Sequence, residues 1–188
     1  MSLHCACLGV VLVSLAVAAG CGAQSGSSVP DWERKLREAI PLFGHRNWIV
    51  IADSAYPAQS RAGIETAVTG AGQLEVVGKA LAAIDGARHV RPVIYTDREL
   101  EFVPEQDAPG ISAYRAQLAR LLEKREVKVL EHEKIIALLD QAGQTFRVLI
   151  IKTNMTLPYT SVFLQLDCGY WSDGAEQRLR QAMAAPRP

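Results

Sequence analysis

Four side chains carry the titratable and hydrogen-bonding groups from which proton-transfer chemistry could be built: His45, Asp53, His132 and Tyr159. His45 follows Gly44 just ahead of an apolar run, Asp53 ends that run, His132 sits in Glu131-His132-Glu133, and Tyr159 follows Pro158. An imidazole exchanges protons near neutral pH, and a carboxylate, a phenol or a second imidazole can orient hydroxyl groups around it. One positioned general acid or base contributes about 10²- to 10⁴-fold, so this set suffices to move protons between oxygens without a redox cofactor. A metal site from His45, Asp53 and His132 is chemically possible, but their wide spacing carries no zinc signature. Each residue also has a plainer reading. His45 could complement the dipole of a helix that ends before it, Asp53 could cap the turn that follows, His132 could belong only to a helix start, and Tyr159 could be a packing aromatic.

These residues need a scaffold. Residues 48–52 form a short apolar run rich in β-branched side chains, which reads as a strand buried on both faces of an α/β sheet. Ligands of open α/β sheets bind beyond the carboxyl ends of strands, so Asp53 and the Ser-Ala-Tyr-Pro loop after it mark the place for a polar site. Eight positions of extended chain separate His45 from Asp53 by up to roughly 26 Å. Both cannot then touch one small ligand unless residues 44–47 fold back sharply or the site joins two copies of the chain.

The remainder alternates helix and strand signals. Asp31 reads as the N-cap of a helix over 31–40, with Trp32, Leu36, Ala39 and Ile40 on its inner face. Strands are expected at 64–68, 91–96, 128–130, 146–151 and 161–166. Helices are expected along Leu74, Val77, Leu81 and Ile84, over 112–124 with Tyr114, Leu118, Leu121 and Leu122 inward, and through Ile135, Ile136, Leu138 and Leu139 to Ala142-Gly143. The acidic, proline-containing stretch 97–110 reads as a surface excursion, and 174–183 as a tail helix. Strands separated by helices of about 10 to 15 residues argue for a three-layer α/β/α domain with a largely parallel or mixed sheet. No Gly-rich phosphate loop of either nucleotide-binding kind occurs.

The chain of 188 residues starts with an apolar run at 8–19, too short at 12 residues to span a bilayer and suited to an export signal. No Lys or Arg precedes it, only His4. Ala18-Ala19-Gly20-Cys21 resembles the small-residue box of a bacterial lipoprotein, which makes Cys21 the candidate for lipidation and the mature first residue of a periplasmic or cell-surface protein. Residues 22–30 are Gly/Ser-rich and read as a tether. About 158 residues from Asp31 onward form one domain of ordinary size. Lys plus Arg and Asp plus Glu both number 20, so no basic field points to nucleic acid, and membrane contact is expected through the N-terminal lipid alone. Cys5 and Cys7 belong to the leader, leaving Cys168 as an expected buried small hydrophobe. His89 has no motif around it and is expected to be exposed. Trp48, Tyr170 and Trp171 could stack on a ligand, though burial or an interface is the commoner fate of such rings.

The order Gly44-His45, Asp53 with Pro57 four residues on, Glu131-His132-Glu133 opening a helix, and Pro158-Tyr159 between two late strands resembles the D-ribose pyranase and L-fucose mutarotase family over about 31–171. That resemblance implies a monosaccharide ligand, no cofactor, a ring-shaped homo-oligomer, and interconversion of anomers or ring forms. It implies His45 as acid/base with Asp53 in the catalytic set, and His132 and Tyr159 holding sugar hydroxyls. Two stretches depart from the family pattern. Thr153-Asn154-Met155 stands where the family has Thr-Gly-Glu, and Ser161 where it has an Asn that contacts substrate. A hydroxyl is shorter than an amide and rotates, so contacts at Ser161 must differ. These departures keep a second reading alongside the isomerase, an exported carbohydrate-binding or assembly lipoprotein of the same fold without turnover. The family's ring assembly favours the site shared between copies.

Overall fold

The computed structural model describes residues 29–184, so the leader, Cys21 and most of the tether lie outside the described residues. The helices are α1 (Asp31–Ala39), α2 (Gln73–Asp85), α3 (Ile111–Leu122), α4 (His132–Ala142) and α5 (Asp173–Ala184). The strands are β1 (Trp48–Ala52), β2 (Ile64–Val68), β3 (Val90–Asp97), β4 (Val127–Leu130), β5 (Val148–Lys152) and β6 (Val162–Cys168). They form one sheet in the order β2-β5-β1-β6-β3-β4. β1 and β5, β2 and β5, and β3 and β4 pair in parallel, while β6 runs antiparallel to both β1 and β3. The sheet is therefore mixed, with one reversed strand inserted among five parallel ones.

Alternation along the central strands sorts their side chains into two cores. Ile49, Ile51, Leu149, Ile151, Val162 and Leu164 face a core shared with α1, α2 and α3. Trp48, Val50, Val148, Ile150 and Phe163 face the other side, where Ile135 and Leu139 of α4 cover them. Successive strand residues point to opposite faces, so an unbroken apolar run is what a strand covered on both sides requires. Each fully buried side chain of this kind contributes about 1.5 to 3 kcal/mol.

Several local expectations change. Asp31 is the first residue of α1, not its cap: Pro30 occupies the cap position, and the Asp31 carboxylate pairs with Arg34 one turn on. Leu121 and Leu138 turn largely outward, because the cores take up Leu118 and Leu122 on α3 and Ile135 and Leu139 on α4. The stretch 97–110 is no simple surface excursion. Asp97, Leu100 and Ala108 are buried in it, and a 3₁₀ turn at Arg98–Glu101 carries the chain away from β3. Trp48 is buried and stacks on Tyr95 with ring centroids 5.4 Å apart, so it faces no ligand. Tyr170 and Trp171 are exposed at the start of the tail.

His89 is half-buried, its Nε2 lying 3.1 Å from the Ile40 carbonyl oxygen and 3.0 Å from that of Phe43. The helix-end capping considered for His45 is thus performed by His89 instead. Cys168 is half-buried at the end of β6, with no disulfide among the described residues. Among the described residues no helix is long and apolar enough to cross a membrane.

Candidate functional site

The carboxyl ends of β1, β3 and β4 deliver Asp53, Asp97 and the start of α4 to one edge of the sheet. Because β6 is reversed, the same edge also receives the loop that enters it, Pro158-Tyr159-Thr160-Ser161. A cavity of about 420 Å³ forms there, lined among others by Asp53, Tyr56, Asp97, His132, Asp140 and Tyr159. That volume is in the range of small-ligand sites.

Asp53 is held from behind. Its Oδ1 accepts the Ala55 N–H at 2.9 Å, and its Oδ2 accepts the Ser161 hydroxyl at 3.1 Å. Ser161 is only 3 % exposed and stands behind Asp53, so its hydroxyl orients the carboxylate and does not line the cavity. The turn-capping role weighed for Asp53 is present, and each oxygen keeps a lone pair for a hydroxyl donor. Deeper still, buried Gln73 donates to the carbonyls of Ile51 at 3.0 Å and Thr160 at 2.9 Å and accepts the Thr153 hydroxyl. The Tyr114 hydroxyl also donates to Thr160, at 2.7 Å, and burial holds its pKa above the usual phenol value. This network ties the loop before β6 to the end of β1. Asn154 donates to the Gly70 carbonyl and Met155 packs on the core, so the residues standing in for Gly-Glu serve the scaffold.

His132 is the first residue of α4. Its backbone N–H donates to both oxygens of Glu99, at 3.1 and 3.0 Å, which caps the helix with a carboxylate placed at the positive end of its dipole. Its ring meets that of Tyr159 edge to face, with centroids 5.7 Å apart. Nδ1 stands 3.1 Å from Oδ1 of Asp97, within ion-pair range but off the line of a directed hydrogen bond. Asp97 is 1 % exposed, and burial raises its pKa to about 6 against the opposing pull of His132. Burial, helped by the carboxylates of Asp140, Asp97 and Asp53, likewise pushes the Tyr56 phenol up to about 12. Tyr159 is 40 % exposed and sits at φ 56°. A tyrosine in that left-handed region is strained, and the surrounding structure has to hold it there.

His45 lies elsewhere. A turn closes residues 44–47, with the Gly44 N–H donating to Asn47 Oδ1 at 2.8 Å and the Arg46 N–H to the Leu166 carbonyl at 2.8 Å. Arg46, at φ 75°, is the second strained non-glycine residue. The turn leaves His45 exposed at the amino end of β1, while the five-residue strand holds Asp53 just past its other end, roughly 16 Å away by strand rise alone. Residues 44–47 therefore do fold back, but against the end of β6 and not toward Asp53. His45 lines a separate hollow of about 460 Å³ with Arg46, Arg91, Lys128, Asp167 and Asp173. Within one chain, Asp53, His132 and Tyr159 come together, Ser161 supports them, and His45 is apart.

Asp97 and Tyr56 line the candidate site and were missed by sequence reasoning. Asp97 ends an apolar strand as Asp53 does, so the carboxyl-end rule applied to β3 would have found it. Tyr56 lay inside the loop already singled out. Among the described residues no group of three or more His, Cys, Asp or Glu side chains is placed to hold a metal ion.

Residues 32–168 match the model of the RbsD / FucU transport protein family. The chain belongs to that family. The RbsD/FucU match spans α1 through β6 and leaves α5 outside it. Similar folds include RbsD of Bacillus subtilis complexed with D-ribose, 18 % identical, with a TM-score of 0.50 over 71 % of this chain and 91 % of that one. They also include the fucose mutarotase of Streptococcus pneumoniae in complex with L-fucose, 18 % identical, with a TM-score of 0.51 over 75 % of this chain and 97 % of that one. Among curated proteins no sequence gives a significant match. The family and the α/β/α fold expected from the four motifs are borne out.

Proposed function

We propose that the protein is a monosaccharide mutarotase or pyranase that interconverts anomers or ring forms by general acid/base catalysis. The observation that carries this reading is the convergence of Asp53, His132 and Tyr159 on one cavity at the carboxyl edge of the sheet, in a chain of this family. The sugars bound by the two similar structures suggest D-ribose and L-fucose as first substrates to try.

The reaction asks for two proton transfers. A base removes the proton of the anomeric hydroxyl while an acid protonates the ring oxygen, the ring C–O bond breaks, and the free carbonyl closes again on either face or through another hydroxyl. No electrons leave the sugar. Asp53 and Tyr159 orient hydroxyls, and His45 of a neighbouring copy is the acid/base, entering a cavity that its own chain keeps it from reaching. Saturation-transfer NMR on the anomeric protons of ribose, fucose and other monosaccharides tests the reading, with exchange faster than in buffer as the expected result.

A second reading is favoured by Ser161, whose hydroxyl is spent on Asp53, and by Asn154-Met155, which serve the scaffold. It keeps the sugar site without turnover, as an exported binding lipoprotein. Sugar-dependent line broadening without faster exchange is its signature.

A further inference from the structure

His132 turns its Nδ1 into the protein, and its side chain lines the cavity. Nδ1 is sealed from solvent beside Asp97, while the side chain as a whole stays 30 % exposed. Asp97 is sealed more completely. Neither of its oxygens has a directed hydrogen-bond donor among the described residues, and the nearest basic nitrogen is His132 Nδ1 at 3.1 Å. A buried carboxylate with so little compensation is costly, and an apolar residue would serve mere packing better. The positive end of the α4 dipole opposes an imidazolium at its first residue, and the Asp97 carboxylate supplies the charge that offsets it.

We infer that Asp97 is a positioning residue that fixes His132 as the Nδ1–H tautomer, which leaves Nε2 to accept and return a proton at the sugar. This rests on reading the cavity as a sugar site and gives His132 a role beyond holding hydroxyls. Nε2 takes the proton of the anomeric hydroxyl as the ring C–O bond breaks, and the ring oxygen takes a proton from His45 of the neighbouring copy. Ring closure reverses both transfers. The carboxylate biases the imidazole through its charge at 3.1 Å and not through a directed hydrogen bond, and the far nitrogen is left for the chemistry.

The test uses the full chain with nitrogen-15-labelled imidazoles, D-ribose and L-fucose. NMR of the labelled ring reads its tautomer, while saturation transfer across a sugar titration separates the saturated exchange rate from the half-saturating concentration. The expected result is a predominantly Nδ1–H His132 in the wild type and a mixture in Asp97→Asn. The saturated rate falls by about tenfold or more, and the half-saturating concentration stays within about threefold. In a His132→Gln background Asp97→Asn lowers the rate no further. A mixed tautomer in the wild type, or an equal loss of rate with and without His132, overturns the inference. Asp97→Ser repeats the test if Asp97→Asn does not fold. Should the wild type accelerate exchange of no sugar, the isomerase reading and the proton-carrier role fall together. The tautomer then separately sustains or overturns the positioning by Asp97.

Discussion

Asp97 carries a measurable cost. Its carboxyl holds its proton more tightly in the folded chain than an ordinary Asp does, so it favours the native state below about pH 4, and that contribution is lost as the pH rises through about 6. Asp97→Asn removes the ionisation. The variant is expected to match the wild type near pH 4 and to exceed it at pH 7.5 by about 1 to 3 kcal/mol, read from urea denaturation at both values. A wild type at least as stable as the variant at pH 7.5 would show that His132 fully compensates the buried charge. A residue kept at such a cost beside a cavity is what a functional constraint produces. Asp53, His132 and Tyr159 were legible because each adjoins a strand or helix boundary marked by Pro, Gly or charge. Asp97 ends a strand in the same way, but the acidic and proline-containing residues after it masked that signal by making its whole neighbourhood look like solvent-facing loop.

Among the elements, chain ends do most of the positioning. Glu105 caps α3 by accepting the N–H groups of Gly110 and Ser112, and these bonds pull its pKa down to about 2. Gly110 itself sits at φ 97°, where a side chain is strained. Beyond β6, Gly169 lets the chain pass close to β3. A methyl group there would stand 2.6 Å from the Arg88 carbonyl oxygen and 2.9 Å from the Val90 nitrogen, both backbone atoms that cannot swing away. Gly169→Ala is therefore expected to destabilise by about 1 to 3 kcal/mol, measured as a lowered urea midpoint with unchanged slope. An unchanged midpoint would mean that the end of β6 separates from β3 at little cost. Arg91 lies on the same stretch and pairs with both Asp167 and Asp173, so the start of α5 is tied to the hollow that holds His45.

At the scale of the whole molecule, one copy is an incomplete site under the proposed function, since His45 and Tyr159 line separate hollows. Co-expressed His45→Ala and Tyr159→Phe chains, each inactive alone, are expected to regain part of the anomer-exchange rate in mixed oligomers, and no recovery would count against a site shared between them. Mass spectrometry of the membrane fraction is expected to find a mature N-terminus at Cys21 carrying acyl chains, and any other N-terminus removes the anchor. The sequence by itself determined the two-sided burial of β1 and β5, the helix–strand order, the family and three residues that line the candidate cavity, because apolar periodicity and strand-end polar residues are local signals. Only the tertiary structure decided the reversal of β6 that brings Tyr159 to Asp53, the retreat of Ser161 behind that carboxylate, the pairing of Asp97 with His132 and the isolation of His45. Those outcomes depend on which strands become neighbours and on which backbone and side-chain groups then meet, and such contacts between residues distant along the chain leave no local pattern to read.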